Sequence, residues 1–297
     1  MFFLTPLLFV LFYSCQPNKQ TIKIGYIPIA ECVPLYVADE LGYFNKHGVD
    51  VELISLAGGA KILNALNSNS IDVGFTNVVS LVLHKSLGSD FYSIYGGSYE
   101  THNNQNHALL INKDILKNDA TETFRNSRIT VNTFKNIEEL MVRKYLKSVG
   151  LGWNDVEKIE IAFPRMLPLL EKGEVTVSSI VEPFITIAKG DSSSSIINYS
   201  NHYLATTSKT LVATYVSSGD VMKNKTKEIK GFIQAMDEAN KYIEENESEA
   251  RRIIGNYTKI PESLLPQIGL SEFSNEINLK LLNDVIKDMV DFGYIDK

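Results

Sequence analysis

From residue 22 the chain alternates short apolar runs with amphipathic stretches. Ile22-Lys23-Ile24-Gly25-Tyr26 reads as a strand, Pro28-Ile29-Ala30-Glu31-Cys32 as a loop, and Pro34 as a first-turn helical position, where its missing N–H is no loss. Residues 49–54 alternate like a strand, Gly58-Gly59 turns, and residues 60–69 place Ile62, Leu63 and Leu66 on one helical face. Residues 71–75 form a third strand, and Thr76-Asn77 caps a helix starting at Val78. Three successive βα units predict a parallel sheet with crossover helices.

The pattern then repeats. Residues 91–95 read as a strand and Gly96-Gly97-Ser98-Tyr99-Glu100 as the turn beyond it, while the polar stretch 101–106 reads as a crossing to a second lobe. Strands are expected at 108–111, 128–131, 159–162 and 175–181. Between them lie a helix at 136–149, striped by Ile137, Leu140, Met141 and Tyr145 and ended by Gly150, and a short helix with Met166, Leu167 and Leu170. A polar turn at 191–195 and a strand at 211–216 lead back to the first lobe. Helices at 228–245, 248–257 and 278–292 close the chain, the first with Ile229, Phe232, Ile233, Met236 and Ile243 inward.

Several of these segments together resemble a known family. Ile24-Gly25-Tyr26 with Pro28, Pro34-Leu35-Tyr36-Val37-Ala38, Gly42-Tyr43-Phe44, Gly58-Gly59 and Ile71-Asp72-Val73-Gly74-Phe75 resemble the extracytoplasmic solute-binding proteins of ABC transporters. The branch is the one that binds nitrate, aliphatic sulfonates, taurine and thiamine-precursor pyrimidines. Lys144-Tyr145-Leu146 with Gly150-Leu151, and Leu170 to Val175 with Glu182-Pro183-Phe184, extend the likeness, although Thr176-Val177 stands where that family often has Asp-Ala. The resemblance covers roughly residues 22–260 and implies an α/β, two-lobed periplasmic binding protein fold. Each lobe would be a mainly parallel sheet flanked by helices, followed by a helical C-terminal region. Expected boundaries are a leader at 1–20, lobe one at 21–105 and 217–297, and lobe two at 106–216. The implied partners are a small-molecule ligand and an ABC permease with its separate ATPase subunit, with the binding protein a monomer.

Composition narrows the alternatives. The 297 residues are enough for two cores, and 44% hydrophobic with 22% charged residues is ordinary globular usage. A net charge of −6, with no long basic run, argues against nucleic acid as a partner. Residues 1–14 carry no charged side chain and end at Cys15, a pattern that suits a lipoprotein leader with Cys15 acylated and residues 16–20 as a tether. The competing reading is an uncleaved anchor or a misassigned start. Lipidation would place the protein in the periplasm or at the cell surface, membrane-anchored, and leave Cys32 without a disulfide partner. Cys32 is then a small buried residue or part of a pocket wall.

Motifs for an enzyme are missing. No phosphate loop, dinucleotide fingerprint, nucleophile elbow or His-Glu-x-x-His pair occurs, so no catalytic residue, cofactor or metal is expected. His102 and His107 read as solvated loop residues. Candidate binding residues are the loop Ile29, Ala30, Glu31 and Cys32, and the helix starts Gly58-Gly59-Ala60, Thr76-Asn77 and Asn132-Thr133-Phe134-Lys135-Asn136, whose free N–H groups suit an anion. Glu31 and Glu182 oppose an anion unless paired with Lys61, Lys135 or Arg165. An amino-bearing heterocycle is the alternative ligand, with a carboxylate accepting from its amine and Tyr99, Phe134 or Phe184 stacking on its ring. The competing function is an enzyme on the same fold, of the pyrimidine-synthase or menaquinone-pathway type. A receptor input module would need an apolar run of about 18 residues, and none is present.

Overall fold

The computed structural model describes residues 20–190 and 196–296, so the leader with Cys15 and the polar turn at 191–195 lie outside the described residues. The chain begins with β1 (Thr21–Tyr26), a short 3-10 turn at Ala30–Cys32, α1 (Val33–Glu40), α2 (Tyr43–Lys46), β2 (Asp50–Ser55), α3 (Gly59–Asn67), β3 (Val73–Asn77), α4 (Val78–Ser86) and β4 (Phe91–Thr101). Next come β5 (His107–Asn112), α5 (Ala120–Phe124), β6 (Arg128–Val131), α6 (Ile137–Ser148), β7 (Glu157–Glu160), α7 (Phe163–Glu171), β8 (Val177–Val181), α8 (Phe184–Gly190) and β9 (Ile196–Ser200). The chain ends with β10 (Lys209–Ser218), α9 (Gly219–Asn224), α10 (Thr226–Glu245), α11 (Glu247–Tyr257), β11 (Glu272–Phe273) and α12 (Leu279–Asp291).

These strands form two sheets. The first has the order β11-β4-β10-β3-β1-β2 and the second β7-β6-β8-β5-β9. Each has a parallel core with the earliest strand in the middle: β1 lies between β2 and β3, and β6 between β7 and β8. The remaining strands pair antiparallel. In such a unit the connections leave the central strand to opposite sides, which opens a crevice at the strand carboxyl ends.

The chain crosses between sheets twice, at 102–106 and at 201–208. The second crossing comes earlier than the 216/217 boundary expected from the sequence. All of β10 belongs to the first sheet, with Ala213 to Ser217 paired to β3. The expected turn at 96–100 is also absent, because β4 continues to Thr101. Its glycines serve close approach instead: a Cβ on Gly97 would lie 1.8 Å from the Ala213 carbonyl oxygen, where β4 and β10 shift register.

Packing follows the apolar stripes. α10 buries Ile229, Phe232, Ala235, Met236, Ala239 and Ile243 on one face and packs against α1. α7 buries Phe163, Met166, Leu167 and Leu170, which turns Arg165 outward to solvent. One apolar cluster runs through both halves, and a second, around Leu109, Ile129, Val142 and Leu146, belongs to the second sheet alone.

The Gly97 contact is testable. Gly97→Ala should lower stability by at least about 1–3 kcal/mol, the usual cost of overpacking. Urea denaturation measures it, and an unchanged midpoint would contradict the close β4–β10 approach.

Candidate functional site

Residues from both halves enclose a small cavity of about 30 Å³. Its apolar walls are Ile27, Ile29 and Phe75 from the first half and Ile137, Phe163 and Val181 from the second. Its polar lining is Glu31, Asn77, His107, Asn132, Asn136 and Glu138. The two carboxylates have matching origins. Glu31 lies in the connection from β1 to α1, and Glu138 in the first turn of α6, which follows β6, so each follows the middle strand of its sheet's parallel part.

Between these carboxylates lies His107, at the start of β5 and 2% exposed. Its Nε2 is 3.5 Å from Glu31 Oε2 and 3.7 Å from Glu138 Oε1, while its Nδ1 is 2.9 Å from Glu100 Oε2. The Tyr203 ring stacks on the imidazole, centroids 4.0 Å apart, and the Tyr203 hydroxyl donates to Glu138 (2.7 Å). Ser98 donates to Glu31 (2.5 Å), and Ser179 donates to Glu138 while its oxygen lies 2.8 Å from His202 Nε2.

Glu100 holds this network at the crossings. Its carboxylate accepts from the backbone N–H groups of Asn106 and His107 in the first crossing and at the start of β5, and from the Asn201 amide (2.5 Å) in the second. Burial alone would push the His107 pKa down. The charges of Glu100 and Glu31 and their hydrogen bonds more than reverse this, holding it well above the ordinary imidazole value. For Glu138, burial pushes upward, but the His202 hydrogen bond and the His107 charge outweigh it and the net direction is down. His202 goes down because burial prevails over its pairing with Glu138.

The structure brings part of the sequence-derived set to this place. Ile29, Glu31, Asn77 and Asn132 line the cavity. Asn77 also caps α4, its side chain accepting from Ser80 N (2.9 Å). Gly58 faces the other half: a Cβ there would lie 3.3 Å from Thr133 Oγ1 and 3.5 Å from Asn132 Nδ2. Gly59 sits over the end of β3, where a Cβ would lie 2.8 Å from both Thr76 Oγ1 and Asn77 Nδ2. The buried Thr76 hydroxyl has no hydrogen-bond partner. Ala60 lies in the first turn of α3, and the Ala30 N–H donates to the Glu182 carbonyl (3.1 Å), a main-chain bond between the halves.

Other candidates lie elsewhere. The Glu182 side chain is spent within the fold, accepting from Thr186 N (3.0 Å) and Thr186 Oγ1 (2.9 Å) of α8 and from Gly269 N (3.4 Å). Tyr99 donates to the Glu276 carbonyl and accepts from Asn278 N, tying down the start of α12. Cys32 is fully buried in the core, with burial pushing its thiol well up. Phe134 is 40% exposed. Lys61, Lys135 and Arg165 are exposed, so none of the cations expected to neutralise Glu31 and Glu182 reaches the cavity. Lys61 points away because α3 buries Ile62, Leu63 and Leu66 instead. Phe184 lines an adjoining apolar chamber.

Asn136, named with its helix start, also lines the cavity, whereas sequence reasoning missed Glu138 and Glu100 and took His107 for a solvated loop residue. The only available signal for His107 was its position directly before the apolar run 108–111. Among the described residues no group of histidine, cysteine, aspartate and glutamate side chains could hold a metal ion, and no helix is long and apolar enough to cross a membrane.

A model of the NMT1-like family matches residues 15–256. The chain belongs to that family. This NMT1-like protein is 51% identical over 41 residues to the bicarbonate-binding protein CmpA of Synechococcus elongatus, a match over 14% of this chain and 9% of the relative. It is 24% identical over 192 residues to the nitrate import ATP-binding protein NrtC of a Synechocystis strain, over 58% of this chain and 28% of the relative. The chain spans less than a third of the length of the curated relatives it matches. Among solved structures, the alkanesulfonate-binding protein SsuA of Xanthomonas axonopodis pv. citri superposes with a TM-score of 0.77 at 13% identity, covering 93% of this chain and 94% of that one. The NMT1-like protein therefore has the periplasmic binding protein fold.

Two outcomes follow from the buried network. Glu100→Ala should cost about 3–5 kcal/mol, the range for removing one partner of a buried ion pair, read from urea melts. Because the His107 pKa is raised on folding, its stabilisation is complete below about pH 6.5 and is lost as pH climbs through the raised value. Wild-type stability should thus decline on the alkaline side, and His107→Gln should flatten that decline.

Proposed function

We propose that this protein is the extracytoplasmic solute-binding subunit of an ABC importer, and that its solute enters the cavity with a hydrogen-bond-donating amino group rather than an anionic one. The family and the fold support the first part. The ligand class rests on one observation: the cavity presents Glu31 and Glu138 and no lysine or arginine.

Coulomb's law decides between the ligand classes. At 4 Å and an effective dielectric of about 20, each like-charge pair costs about 4 kcal/mol. A nitrate or sulfonate facing two carboxylates would have only His107 to offset them, and His107 is already engaged by Glu100. A protonated amine reverses the sign of both terms, and a neutral one removes the repulsion and donates hydrogen bonds. An aminopyrimidine-like heterocycle satisfies this chemistry, its exocyclic amine donating to a carboxylate. The helix starts at Gly59 and Val78, with the unpartnered Thr76 hydroxyl, favour a small anion as the competing reading.

In this reading the two halves act as lobes about the crossings at 102–106 and 201–208 and close on the solute. Delivery goes to a permease with its ATPase subunit, and the solute leaves unaltered. Cys15 would carry a lipid that holds the protein to a membrane outside the cytoplasm, through the tether at 16–20.

A thermal-shift panel of 4-aminopyrimidine, nitrate, bicarbonate and an alkanesulfonate tests the ligand class. The aminopyrimidine should stabilise the protein, by about 2.7 kcal/mol at 100 times its dissociation constant. Glu31→Gln and Glu138→Gln should each weaken it by about 1.5–3 kcal/mol. Stabilisation by an anion that survives or improves in those variants would overturn the amine reading, and a product accumulating with time would overturn binding without turnover.

A further inference from the structure

Against the small polar cavity lies a second, much larger space of about 290 Å³. The two share Ile27, Ile29 and Phe163 as common walls. The larger chamber is apolar on both sides. The first half contributes Leu56 and the Ile27-Pro28-Ile29 loop, and the second contributes Phe163 and Phe184, whose near-parallel rings are 6.4 Å apart. Phe184 and Leu56 are only partly buried, so this apolar surface stays open to an occupant.

The size contrast carries chemical information. A space of 30 Å³ takes one or two water-sized groups, enough for an amino nitrogen and its carbon but not for a ring. A larger solute has room for its remaining atoms next door, where Ser55 is the one hydroxyl-bearing wall residue. From this we infer that the solute is amphipathic, with an amino head in the polar cavity and an apolar body, alkyl or aromatic, in the outer chamber between Leu56 and Phe184. This rests on the reading of the polar cavity as an amine site. It adds a second subsite and makes Leu56, Phe163 and Phe184 its specificity-determining residues. Because the body touches both halves at once, its apolar area contributes to closing them as well as to affinity.

The test is a ladder of primary amines, methylamine, propylamine, pentylamine and phenethylamine, with dissociation constants from thermal-shift titration of the full-length protein. Affinity should rise about fourfold per added methylene, the value of one buried CH₂. Phe184→Ala and Leu56→Ala should each flatten that slope while leaving methylamine binding unchanged. Affinity that does not grow along the ladder in wild type, with methylamine still bound, overturns the outer subsite alone. If no amine binds, the amine reading itself fails and the subsite falls with it. A slope that survives both substitutions in folded protein, as judged by circular dichroism, would also overturn the assignment of the body to this chamber.

Discussion

The carboxylate of Glu100 is the constraint on which the rest depends. It is fully buried, and a buried carboxylate is tolerable only when its oxygens are well supplied with donors. Those donors come from the two chain crossings and the start of β5: the N–H groups of Asn106 and His107, the His107 ring and the Asn201 amide. One side chain thereby fixes how two separate passages of chain lie against each other. It also fixes the His107 ring, and the ring in turn faces Glu31 and Glu138. The electrostatics of the cavity are set from behind, by a residue that does not line it.

Much of the fold was legible because local and global signals agree. Apolar runs and 3.6-residue periods gave β6 without error and most other elements to within two residues, since the helices bury one clear face and strands such as β5 and β8 are buried throughout. The failures have physical causes. Gly96-Gly97 carries turn chemistry in sequence, yet Gly97 lets β10 approach and Gly96 admits the Ser274-Asn275 backbone, demands made by chain more than a hundred residues away. β9 and the two-residue β11 add edge pairings that a short stretch of sequence does not announce.

The site was legible only in part, and for a different reason. Loops after strands can be found from the βα pattern, so Ile29, Glu31, Asn77 and Asn132 could be named in advance. Where a side chain points cannot be read that way. Glu182 and Glu138 both stand near a helix start after a strand, but Glu182 accepts from the N–H and hydroxyl of Thr186 in α8 while Glu138 turns to Tyr203, His202 and His107. His107 looked solvated because its neighbours in sequence are polar, and only the Glu100 carboxylate, brought close by the crossing, makes burial of an imidazolium tolerable.

The bond from the Ala30 N–H to the Glu182 carbonyl joins the halves through main-chain atoms alone. No exchange of side chains removes it, short of proline at position 30, whereas Glu31, one residue along, acts through its side chain, which a point mutation changes. On the proposed reading of the cavity, attachment of the halves and choice of solute are thus written at neighbouring positions of the same loop. A lineage can drift from one cargo to another by point mutation while inheriting the same docking of its halves, which is a route by which one scaffold could diversify without passing through an unclosable intermediate.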